Sequence, residues 1–216
     1  MGNAHVFLLM AFYNELTFNM LTITELCNQL ADAYEAKGVA VRENLRPGLS
    51  TTEILEIVAP LNIIVPDDVI ELYQWANGHI DEDDLELHRN LCFRDNNFIS
   101  LQNAVSEYKS IQETYGIYST LEQDLVDLKS CLPISAFQGS WDVVACGAHL
   151  FGASMEHPII RVFQGIDMYF HSIPSMLETC IEWVSSPNWQ NLRGLPDEEE
   201  TEIWKRHTPD LFRARS

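Results

Sequence analysis

The stretch STTEILEIVAPLNIIVPDDVIELYQWANG, residues 50–78, reads as two short amphipathic helices joined by a proline-containing link. Ser50 and Glu53 stand at capping-box spacing, where a hydroxyl and a carboxylate each satisfy an otherwise unpaired backbone donor. Ile54, Ile57, Val58 and Leu61 then fall on one helical face. Pro66 is expected to stop that helix, and Asp67 and Asp68 suit the positive end of the next. Val69, Leu72, Tyr73 and Ala76 repeat the helical stripe. Asn77 and Gly78 read as the turn that closes it, since Asn tolerates left-handed backbone and Gly needs no side-chain room.

The same local chemistry marks elements on either side. Upstream, Thr22 and Glu25 form a second capping box, with Leu21 and Leu26 placed for a hydrophobic staple. Ile23, Leu26, Leu30 and Tyr34 follow at helical spacing, and Gly38 ends the run. Downstream, Asp81, Glu82, Asp83 and Asp84 suit a charged surface loop, and Leu85, Leu87 and residues 91–93 a short strand. Ser100 is a good cap for a helix carrying Leu101, Ala104, Val105, Tyr108 and Ile111. Ser119 and Glu122 would open another, with Leu121, Leu125 and Leu128 on one side.

β-rich runs at residues 134–137, 143–146, 159–163 and 168–171 predict most of a sheet, with a hairpin turn over residues 164–167. Ser172 opens a helix striped by Ile173, Met176, Leu177, Cys180, Ile181 and Val184, and residues 197–207 suggest one more short helix with Trp204 inward. Helices first, clustered strands later and no alternating strand–helix rhythm predict an α+β fold: a mostly antiparallel sheet with helices packed against it. The expected organisation is an N-terminal extension over residues 1–20, packed as an extra helix or frayed, with Met1 and Met20 both candidate starts. A domain over residues 21–185 follows, then a tail over 186–216 packed on it.

This order of motifs resembles the SUKH superfamily, which includes fungal cell-wall assembly regulators of the Smi/Knr type and many bacterial immunity proteins. The resemblance lies in a helix, a Leu-x-Ile-x-x-Pro-Asp-Asp link from Leu61 to Asp68, and a helix ending in Leu-Tyr-x-x-x-Asn-Gly from Leu72 to Gly78. The strand-into-helix step at residues 98–105 comes next. Then come Pro133 and Ile134 through Gly139, Ser140, Trp141 and Asp142, and a closing helix over residues 173–184. It spans residues 22–184 and omits the acidic insert and the Trp-rich tail. It implies an intracellular domain without an enzymatic role that binds a protein partner: in bacteria often a toxin, in fungi a component of wall synthesis.

Composition bears on the partner. Thirteen Lys and Arg against 32 Asp and Glu give a formal charge of −19, which repels phosphate backbones and anionic lipid and attracts cationic proteins. Direct nucleic-acid and membrane binding are therefore not expected. Cys27, Cys92, Cys131, Cys146 and Cys180 are odd in number and dispersed, which suits apolar core fillers in a reducing compartment. The apolar run at residues 6–13 lacks the basic start of a secretory signal, because no Lys or Arg precedes Lys37. Val6 stands where a myristoylation motif needs Ser or Thr. The expected location is the cytoplasm.

Candidate chemistry is sparse. Residues 152–156 approach a nucleophile elbow but lack its second Gly. Asp81 and Asp83 begin like a calcium loop, yet Leu85 takes a ligand position and Glu86 the place of the required Gly. Cys146, His149, Glu156 and His157 define the alternative reading, a hydrolase or metal-dependent enzyme, although their spacing fits no zinc signature. Neither a catalytic set, nor a metal, nor a cofactor is expected. The candidate partner-binding residues are Asp81, Glu82, Asp83 and Asp84, with Trp141 and Asp142, where Trp141 is read as a partly exposed turn residue.

Overall fold

A computed structural model describes residues 21–80, 90–118, 128–146, 157–190 and 194–209. Three helices come first: α1 (Ile23–Ala36), α2 (Thr51–Val58) and α3 (Asp67–Trp75). Both capping boxes form, with Thr22 and Ser50 each accepting from the glutamate three residues on. Glu71 of α3 adds a tertiary cap, accepting from Thr24 N at 3.0 Å at the start of α1. Gly38 takes φ +81 beyond the end of α1, as a left-handed stop requires.

The end of α2 departs from expectation. It stops at Val58 rather than at Pro66, because a short 3-10 turn, Ala59–Leu61, and left-handed Asn62 (φ 53) intervene. Pro66 instead caps α3, whose first turn carries Asp67 and Asp68.

After α3 the chain runs straight into strand β2 (Ala76–His79), which pairs antiparallel with β1 (Leu45–Pro47). Asn77 and Gly78 are therefore strand residues and not a closing turn. The left-handed backbone is still present at Gly78, with φ +67. A methyl group there would fall 2.2 Å from Ser100 N, so the bare backbone is what lets this strand lie against residues 99–100.

A second, six-stranded sheet contains β3 (Cys92–Phe93), β4 (Asn96–Phe98), β5 (Cys131–Phe137), β6 (Ser140–Ala145), β7 (Ile159–Val162) and β8 (Ile166–Phe170), paired in chain order and antiparallel throughout. α4 (Leu101–Tyr118) interrupts it between β4 and β5, and α5 (Ile173–Ser185) and α6 (Asp197–His207) follow it. The fold is α+β.

Both faces of the sheet are covered, which explains why β6 is buried at every position. On one face Phe98, Leu132, Ile134, Val144, Ile159 and Phe170 join the stripes of α1, α3 and α5 in the main core. On the other, Trp141, Val143, Ile160 and Val162 pack with Ile111 and Tyr115 of α4. The tail helix α6 packs on α5, with Ile203 buried and the half-buried Trp204 ring against Tyr169. No described helix is long and apolar enough to cross a membrane. The extension at residues 1–20, strand positions 85 and 87, and most of the helix expected from Ser119 lie outside the described residues.

Candidate functional site

Two opposite charges face each other inside the main core. Asp142 on β6 and Arg161 on β7 are direct register partners. Arg161 Nε donates to Asp142 Oδ1 at 2.5 Å and Nη2 to Oδ2 at 3.2 Å. Ser135 Oγ (2.7 Å) and Asn96 Nδ2 (3.0 Å) also donate to Oδ2. The fully buried carboxylate thus takes four hydrogen bonds from three neighbouring strands, the condition under which a buried charge is tolerated. A bulge at Pro133–Ser135 arranges this: Ile134 enters the main core while Ser135 aligns with Asp142.

The charges continue outward in alternating sign. Arg161 Nη1 lies 3.6 Å from Asp95, and Asp95 lies 3.5 Å from Arg94 Nε. That nitrogen stands 2.5 Å from Glu200 Oε1 of α6, an ion pair without the alignment of a hydrogen bond. Burial raises the Glu200 carboxyl above its usual range, with Arg94 opposing. Three aromatic rings surround the Arg94 guanidinium, with centroids 5.4 Å (Tyr169), 5.4 Å (Trp204) and 5.9 Å (Trp183) away. Arg161 stacks on Tyr169 at 4.4 Å. Arg94 has φ +64, uncommon for a long side chain, at the tip of the β3–β4 hairpin. Chemically this is a clasp: it compensates its own charges and ties the hairpin, the sheet and the tail helix together.

The sequence-predicted residues fare differently. Trp141, expected in a partly exposed turn, is a strand residue 9% exposed, with Nε1 donating to Glu107 at 2.6 Å and its ring edge-on to Tyr115. It faces α4 because it follows the Gln138–Gly139 turn already inside β6. Asp142 is spent on Arg161 and its neighbours. Both side chains are interior groups, which corrects the expected partial exposure of Trp141. Asp81, Glu82, Asp83 and Asp84 lie outside the described residues, as do His149, Glu156 and residues 152–155 of the near-elbow.

Of the alternative catalytic set, His157 Nδ1 sits 3.0 Å from Ala145 O, and Cys146 Sγ donates to Val144 O. Burial pushes the Cys146 thiol up to about 12, the wrong direction for a nucleophile. No group of three or more His, Cys, Asp or Glu side chains gathers for a metal among the described residues.

No protein-family model matches the chain, and no curated protein matches it in sequence. The likeness to the SUKH superfamily therefore stands on the order of its motifs. Arg94 and Arg161 escaped the sequence reading. One signal for the Asp142–Arg161 pair was available: a lone Asp and a lone Arg, each within an otherwise apolar strand run, WDVVA and IIRV.

Proposed function

We propose that this chain is a cytoplasmic, non-enzymatic protein-binding domain of the SUKH type, either an immunity protein that neutralises a toxin or a related regulatory adaptor. One observation carries the reading: several of the scarce cations are paired within the chain. Of 13 Lys and Arg, Arg42, Arg94, Arg161, Lys205 and Arg206 are already engaged by carboxylates of the same chain. Exposed acids such as Glu25, Glu43, Glu53, Glu56 and Asp67 set the sign of the field that an approaching partner meets. Such a field accelerates encounter with a basic protein and supports occlusion of a basic cleft, as neutralising a nuclease toxin would require.

The test is co-expression with the product of a neighbouring toxin gene, scoring growth, followed by association rates across ionic strength. Rescue with an on-rate that falls as salt rises supports the proposal. An on-rate indifferent to salt refutes the electrostatic basis. Neutralising Asp81, Glu82, Asp83 and Asp84 together is expected to slow association and flatten its salt dependence.

A further inference from the structure

The α2–α3 region presents apolar side chains that the fold does not use. Ile64, in the link, is 85% exposed, and Leu55, on the outer face of α2, is 48% exposed. Ala59 and Pro60 between them are exposed as well. Local structure explains the outward aim. Left-handed Asn62 turns the chain out of the 3-10 segment, and beyond it Val65 is buried while Ile64 stands in solvent. Scattered exposed apolar residues need no explanation. Here they share one ten-residue segment, 55–64, which carries the exposed Glu56 and is flanked by the exposed carboxylates Glu53 and Asp67.

No Lys or Arg occurs from residue 47 to residue 80, while five carboxylates do. Glu71 is turned to α1 as its cap, and Glu53 remains solvent-facing while closing its own box. Exposed Leu55 and Ile64, in a stretch that carries carboxylates and no cation, complement one kind of surface: a cationic protein segment with an apolar side chain at its middle.

Resting on the proposed protein-binding role, the geometry points to the Leu55–Ile64 segment as the docking surface for a basic segment of the partner, anchored by an apolar residue against Ile64 and Leu55. Carboxylates at the rim steer the approach, and the apolar contact slows departure. Trp141 and Asp142 have no part in it.

The experiment titrates the full chain with two dye-labelled probes, an amphipathic Lys/Leu peptide and polylysine of equal charge. Fluorescence anisotropy gives the affinities and backbone amide shifts map the contact. A Leu55→Ser, Ile64→Ser double variant is expected to weaken the Lys/Leu peptide about tenfold or more, the equivalent of one desolvated anchor. It should leave polylysine binding and Tm unchanged, because both side chains are exposed. Phe163→Ser, which removes the 49% exposed ring on the β7–β8 turn, is expected to change neither probe.

Equal losses from Phe163→Ser, undiminished binding by the double variant, or amide shifts away from residues 53–68 would overturn the assignment. A wild-type dimer that the double variant converts to monomer would assign the face to a second copy instead, and overturn it too. Failure of the wild type to bind either cationic probe strikes at the proposed function itself. Binding of both probes with an indifferent double variant removes only this surface.

Discussion

Arg161→Met is expected to destabilise the domain more than Asp142→Asn, although each removes one half of the same ion pair. Arg161→Met strips two of the four donors from a fully buried carboxylate and leaves it with Ser135 and Asn96 alone. Stranding a buried charge this way costs about 3–5 kcal/mol. Asp142→Asn strands the guanidinium less severely, because Arg161 keeps Asp95 at 3.6 Å and the Tyr169 ring at 4.4 Å. The amide oxygen still accepts from the neighbouring donors, so about 2 kcal/mol is the expected cost.

The Asp142→Asn, Arg161→Met double variant should fall short of the summed single losses by at least about 1 kcal/mol, since neither charge is left alone. Urea unfolding followed by tryptophan fluorescence measures all four corners of the cycle, with equal m-values as the condition for comparison. An Arg161→Met loss below about 1 kcal/mol, or strictly additive losses, would refute the argument that the carboxylate depends on this guanidinium.

His79 supplies a pH dependence. Burial foremost, then Arg46, lowers its pKa from 6.5 to about 4, and its Nε2 accepts from Leu91 N at 2.9 Å. The unfolded chain therefore binds the proton more readily, so its contribution to stability is complete above pH 6.5 and lost between pH 6.5 and about 4, by about 3 kcal/mol. Stability curves for wild type and His79→Leu should converge over that window, and parallel curves would contradict it. Gly78→Ala is expected to cost about 3 kcal/mol or more, because φ +67 and a 2.2 Å approach to Ser100 N both oppose a methyl group; urea midpoints decide. The five buried thiols should resist Ellman's reagent in the native protein and all react in denaturant, since burial also pushes the Cys92 thiol up to about 12. Rapid native labelling of any of them would overturn the packing described.

Features determined by neighbours in the chain were legible. Both capping boxes, the α5 stripe and the α6 bounds follow from spacings of three or four residues. The four later β-rich runs became strands within a few residues of their expected limits. Trp141 was misread because a Gly two positions earlier suggested a longer turn, while the strand resumes at Ser140. The α2 end was misplaced because Pro66 looked like the first breaker, whereas Asn62 breaks the helix with its own left-handed backbone. The clasp joins residues 142 with 161 and 94 with 200. No local period records such pairings, and only a stray charge in an apolar run hints at them. Placement of α4 on the second face depends on where the preceding strand ends, which composition does not encode.

The pairing of α1 with α5 spans most of the chain, and Lys37 at the foot of α1 donates to Ser186 O just past α5. During synthesis the sheet can add its strands in chain order, but α1 must wait for residues 173–185 to leave the ribosome before its apolar stripe has a seat. A polypeptide halted after β8 would hold a nearly complete sheet under an open roof. α1 and α5 therefore share one fate, and loosening either unseats the other.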